Sequence, residues 1–180
     1  MLGEYLPYVI IVVVASALIA ATVVLARLAW RRQVRRYLVA LMGRREDIAA
    51  ALKTVDGVVG ALASGSVEDV ISFARPDSEE RRVVADVASR MRIGADELAD
   101  LPLPKKLWAL ADQLGAAAAS LALAAAGVGE AEGDAVLDAL VALDLTPVRA
   151  VLDESAAESA RLAELYDLTD AAVYGGGLYI

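Results

Sequence analysis

Between Tyr8 and Ala26 the chain carries no charged residue, and almost every position is Val, Ile, Leu or Ala. At about 1.5 Å per residue, a helix over this run spans roughly the 30 Å of a bilayer's hydrocarbon core. A soluble alternative would have to enclose the whole run inside a core. The sequence therefore predicts a transmembrane helix over 6–30 behind a short extracytoplasmic head, 1–5.

The flanks give the span a direction. Arg27, Arg31, Arg32, Arg35 and Arg36 follow it, then Arg44 and Arg45, while Glu4 is the one charge before it. Basic residues next to a span stay cytoplasmic, so the N-terminus is expected outside and the remainder inside. Tyr5, Tyr8, Trp30 and Tyr37 fall where amphipathic rings favour the two interfaces. A cleaved signal peptide would carry its positive residues ahead of the apolar stretch, which is the opposite order.

The net charge of −8 conceals a division: residues 1–45 hold seven Arg and one Glu, whereas 46–180 hold ten basic and 24 acidic residues. Arg27, Arg31, Arg32, Arg35 and Arg36 form a collar suited to anionic lipid headgroups. The acidic remainder would be repelled by nucleic acid, so no nucleic-acid partner is expected, and it should stand off an anionic membrane as well. The chain contains no Cys and no His. Disulfides, the usual zinc ligand sets, thiol catalysis and histidine general bases are thereby excluded.

Past the collar, Val34, Leu38, Leu41, Ile48, Leu52, Val55, Val59 and Leu62 recur at helical spacing, with Arg45 interrupting the stripe. This predicts a helical stalk over 31–63 whose seam packs against the chain's own later helices or, as a coiled coil, against a second copy. Gly43, Gly57 and Gly60 should loosen it. Ser66 with Asp69 has capping-box spacing for a short helix to about Ala74, and Asp77 with Glu80 is a cap for the next one, which Gly94 weakens. After the Leu101–Pro104 corner a second apolar helix runs to Ala126 with Leu107, Leu110, Leu114, Ala118, Leu121 and Ala125 on one face. Asp112 and Glu130 bracket its uncharged stretch, which favours a buried helix over a second span. Asp134 is expected to cap a short helix and Thr146 a last one, along which Val148, Leu152, Leu162, Tyr166 and Val173 face inward with Ser155 and Ser159 between them.

Together 64–174 read as an acidic, Ala-rich helical bundle, and 175–180 as a flexible tail. Gly175, Gly176 and Gly177 tether Leu178, Tyr179 and Ile180, an apolar tip able to dock on a partner or on the chain's own helices. Within the span, Ser16 with Ala20 and Thr22 with Ala26 are small-residue pairs that permit close helix contact. The acidic pairs Asp134/Asp138 and Glu154/Glu158 sit one turn apart, a spacing more typical of a solvated face than of a metal site, and no His completes a di-metal set. Neither GVGEAEG (127–133) nor GGG (175–177) supplies a phosphate-loop pattern. Ser120 and Ser155 have no adjacent base, and nothing singles out Lys53, Lys105 or Lys106 as one.

One span followed by a helix opening on Arg44, Arg45, Glu46, Asp47 and Ile48 resembles the LemA family of bacterial membrane proteins over those residues; no site residue is carried over from it. The bias towards Ala, Val, Arg and Asp resembles chains from high-GC bacterial genomes. The sequence thus predicts an all-α protein, a single N-terminal transmembrane helix continuing into a cytoplasmic bundle of four or five helices, at a bacterial inner membrane. The expected role is non-enzymatic, with no cofactor: an adaptor or scaffold, or an accessory subunit, whose partners are the anionic bilayer, other protein subunits or a second copy of itself. The competing reading is a sensor whose helices bind a small ligand or ion.

Overall fold

The computed structural model describes residues 2–133, 135–166 and 168, with side chains from Val13 onward. Among them are six α-helices and no strand: α1 (Leu2–Ser64), α2 (Val67–Ala74), α3 (Glu79–Asp100), α4 (Trp108–Gly129), α5 (Ala135–Val141) and α6 (Thr146–Leu165). A single 3₁₀ turn, Lys105–Leu107, leads into α4.

Helix α1 passes through Gly43, Gly57 and Gly60 without a break. Each glycine costs about 1 kcal/mol against alanine, but all three are exposed and lie off the buried stripe: Val34, Leu38, Leu41, Ile48, Leu52 and Val55 belong to one core that also holds residues of α3, α4 and α6. Full burial of a Leu or Val side chain is worth about 1.5–3 kcal/mol, so packing outweighs propensity. The seam from Val34 to Val55 is therefore covered from within the chain, the first of the two expected partners. Arg45 is half-buried in the stripe and reaches out of it, with Nε and Nη2 each 3.4 Å from the carbonyl oxygen of Leu152.

Ser66 and Asp69 close the expected capping box at α2: the Asp69 carboxylate accepts from the Ser66 backbone N–H at 2.7 Å, and Ser66 Oγ accepts from the Asp69 N–H at 3.3 Å. At α3 the cap moves one residue from the expected Asp77. Ser78 occupies the cap, its hydroxyl accepting from the Arg81 N–H at 3.4 Å while donating to Glu80 at 2.9 Å. Gly94 lowers the helix propensity of α3 without ending it: the helix continues to Asp100, and the buried Leu98 gains from the added turn. At α6, Thr146 lies inside the helix rather than at its cap, and its N–H is satisfied by Asp144 Oδ1 at 2.9 Å. Asp134, Val173 and the whole 175–180 tail lie outside the described residues.

Helix α4 is the centre of the packing and touches α1, α3, α5 and α6. Its buried positions are Leu110, Ala111, Leu114, Ala117, Ala118, Leu121, Ala122, Ala125 and Val128. The many alanines let neighbouring backbones come close, and Gly129 lies directly against Ala85 of α3. Arg44 pairs with Glu97, and Arg149 with Asp56 at 2.5 Å. Arg45 meets Leu152 further along α6 than Arg149, and Gly57, Val58 and Leu62 share a cleft with Glu80 at the start of α3 while Arg44 meets Glu97 near its end, so α3 and α6 both run opposite to α1. The ends of α3 and α6, and the start of α4, therefore gather at the end of the core where α1 enters.

Arg81 closes the other end. It is buried (6% exposed), and its guanidinium is held by backbone carbonyls. Nε donates to the Gly129 carbonyl at 3.1 Å and Nη1 to that of Ala74 at 3.3 Å, while Nη2 donates to Ala131. One cation thus satisfies carbonyls at the C-termini of α2 and α4, where orphan acceptors and the helix dipole favour positive charge.

Candidate membrane-contacting surface

The stretch of α1 from Val13 to Gln33 stands outside the core. Every described residue from Val13 to Gln33 is exposed, including Leu18, Ile19, Leu25 and Trp30. Two stretches are long and apolar enough to cross a membrane, one in α1 and one over Lys105–Gly129. They differ in what covers them: none of the apolar window in α1 is buried, against 44% of that in the second. The second is apolar because it is core; the first has no partner within the described chain.

The small-residue pairs lie on this exposed stretch, but not together. At roughly 100° per residue, Ser16 and Ala20 share one face while Thr22 and Ala26 lie about 80–160° round the helix from them. Thr22 donates its hydroxyl to the Leu18 carbonyl at 2.8 Å, so it needs no partner helix to be satisfied in an apolar medium.

Arg27, Arg31, Arg32, Arg35, Arg36, Arg44 and Arg45 follow the apolar stretch in sequence, and the fold divides them. Arg27, Arg31, Arg32 and Arg36 are exposed and Arg35 is half-buried, which keeps the collar intact. Arg44 is taken by Glu97 and approaches Asp47 at 3.9 Å, and Arg45 is spent on Leu152. The collar has five members.

Sequence reasoning missed Lys105, Lys106 and Trp108. The 3₁₀ turn that carries the lysines touches α1, and all three residues are exposed while Pro104 and Leu107 beside them are buried. Trp108 donates its indole N–H to the Leu103 carbonyl at 2.9 Å, and Lys105 Nζ lies 5.9 Å from the ring centroid. The signal in the sequence is a lysine pair and a tryptophan behind a two-proline corner; what the sequence does not give is their place beside α1.

The remaining candidates have structural uses. Glu158 takes two hydrogen bonds from Arg161, at 2.8 and 2.6 Å, and these hold its carboxyl below the usual glutamate range. Asp144 is held low by hydrogen bonds from Thr146. Ser155 is buried and donates to the Leu152 carbonyl at 2.8 Å, whereas Ser120 is exposed. Among the described residues no three acidic side chains converge as a metal site would require. A half-open cleft of about 440 Å³ lies between α1 and α3, lined by Arg44, Asp47, Thr54, Arg90 and Glu97 over a floor of Ile48 and Leu98. No protein-family model matches the chain, and no curated protein or solved structure shows significant similarity to it.

Proposed function

We propose that this chain is a membrane-anchored, non-enzymatic adaptor or accessory subunit of a bacterial inner-membrane complex. Its first helix crosses the bilayer once with the N-terminus outside, and an acidic bundle of helices stands on the cytoplasmic side. The observation that carries this reading is the contrast within α1: a fully exposed apolar stretch up to Trp30, an arginine collar, then a stripe that is buried from Val34 onward. An apolar helix surface with no protein to cover it is stable where lipid covers it instead. The placement of charge supports the direction. The small-residue pairs and the tip at Leu178, Tyr179 and Ile180 are the proposed points of contact with other subunits.

Cross-linking in native membranes, followed by light scattering of the detergent-solubilised protein, tests the adaptor role. A stable neighbour or self-assembly is expected; a lone monomer without cross-links would overturn it. A reporter fused after Ile180 should be active in the cytoplasm, and periplasmic activity would refute the orientation. The cleft between α1 and α3 favours a second reading, a sensor that binds a small ligand between Arg44, Arg90 and Glu97. Native mass spectrometry that retains such a ligand, lost on Arg90→Ala, would select it.

A further inference from the structure

The acidic helices following the collar would be expected to keep clear of an anionic surface. One edge of them differs. Between Leu98 and Ala111 the chain has a single acid, Asp100, against Lys105, Lys106 and the half-exposed Trp108; Asp112 lies one turn further along α4. Arg44 pairs with Glu97 near the end of α3, while Gly57, Val58 and Leu62 share a cleft with Glu80 near its start, so α3 runs back along α1. Beyond Glu97, the last residues of α3 and the Leu101–Pro104 corner, where the Leu103 N–H bonds back to the Leu101 carbonyl at 2.7 Å, carry the chain on towards the collar by at most about 18 Å, the distance from Arg44 back to Arg32 along α1. The turn that carries the lysines does touch α1. A basic, aromatic corner from the middle of the chain is thus set beside the arginine collar, at the end of the core from which the apolar helix emerges.

We infer that Lys105, Lys106 and Trp108 form a second membrane contact, docking on the anionic lipid headgroups of the same bilayer that holds α1. This rests on the proposed insertion of α1. The chemistry matches that surface on two counts: lysine ammonium groups reach phosphate on flexible stems, and an indole with its N–H satisfied by Leu103 presents an apolar face to the interface. The corner is stiff, with two prolines and a buried Leu107, so the residues are held in place. Two contacts on one rigid body fix its tilt, where a single helix leaves it free to swing. The acidic body therefore rests on the membrane by one edge.

Trp30 and Trp108 are the only tryptophans, so each can be read alone. Full-length Trp30→Phe and Trp108→Phe proteins are reconstituted into phosphatidylcholine vesicles, with and without phosphatidylglycerol, containing a lipid with a nitroxide at the headgroup. Trp30 should be quenched in both vesicles. Trp108 should be quenched with phosphatidylglycerol present, and Lys105→Glu/Lys106→Glu should return it to the level seen in zwitterionic vesicles without changing Trp30. If Trp30 is quenched and Trp108 is not, the second contact is refuted and the anchor stands. If neither is quenched, the insertion of α1 fails and the contact with it. Quenching of Trp108 that ignores phosphatidylglycerol overturns the assignment to anionic headgroups.

Discussion

Arg81 Nε lies 3.1 Å from the carbonyl oxygen of Gly129, joining the start of α3 to the last residue of α4 across 48 positions of sequence. The same guanidinium serves Ala74 and Ala131, so three segments close on one side chain. Replacing it leaves carbonyls without donors at two helix ends. Hydrogen bonds to a charged donor contribute about 1.5–3 kcal/mol each and do not add, so Arg81→Met should cost about 3 kcal/mol. Arg81→Lys, which keeps the charge but loses the planar fork, should cost less. Urea unfolding of the full chain in detergent, followed by circular dichroism, measures both. Equal stability of Arg81→Met and the native protein would show that the clamp holds nothing.

The glycines separate by their surroundings. A Cβ built on Gly129 falls 3.1 Å from Ala85 Cα and Cβ and 3.3 Å from its backbone N, whereas nothing lies within 4 Å of one on Gly94 or Gly115. All three are helical, so each substitution by alanine gains about 0.5–1 kcal/mol of propensity. At Gly129 the obstacle is the backbone of α3, fixed one turn away by Arg81, and the clash should dominate at about 1–3 kcal/mol. Gly94→Ala and Gly115→Ala should raise the midpoint of thermal unfolding and Gly129→Ala should lower it. A rise at Gly129 would mean that α3 and α4 separate more freely than their contact suggests.

The capping box at α2 should respond to acid. Asp69 is held below the usual aspartate range by the Ser66 backbone N–H first and the Ser66 hydroxyl second. A carboxyl depressed in the folded state stabilises it at neutral pH and down to the ordinary aspartate range; that stabilisation is lost as pH falls through the lower folded value. Carbon-detected NMR titration should place the Asp69 midpoint below that of an unstructured aspartate. Protection of the α2 amides should fall with it, and Asp69→Asn should abolish this acid dependence. A normal Asp69 midpoint would refute the capping geometry.

Much of this fold is legible in the sequence because its signals are local. The stripe from Val34 to Val55 and the Leu107–Ala125 face follow the helical period, and the residues they name are those buried. The burial of α4 is legible too, since Asp112 and Glu130 leave too little uncharged length for a comfortable span. Neighbouring cap candidates are harder: Asp77 and Ser78 differ by one residue, and only the dihedral angles at Ser78 decide between them. What no local pattern encodes is the consequence of chain reversal. Arg81 meets Gly129 only after α4 has turned back along α3, and the turn that carries Lys105 comes against α1 only after α3 has run back along it. A sequence pattern shows that Lys105 and Lys106 are basic; the reversal decides what they are next to.

Helix α6 carries two buried serines one turn apart with opposite prospects. Ser155 Oγ donates to the Leu152 carbonyl at 2.8 Å. Ser159, 4% exposed, has no hydrogen-bond partner for its hydroxyl among the described residues. Both are small enough to let α6 approach its neighbours, so alanine preserves the shape at either site and changes only the polar group. Ser155→Ala gives up a bond worth about 0.5–1.5 kcal/mol. Ser159→Ala instead removes a buried hydroxyl whose desolvation is uncompensated, and should stabilise the protein by about 1 kcal/mol. The two variants should shift the urea midpoint in opposite directions with an unchanged slope. If Ser159→Ala destabilises the protein as Ser155→Ala does, the hydroxyl has a partner in the folded protein and α6 is held by a polar contact where only close packing is now apparent.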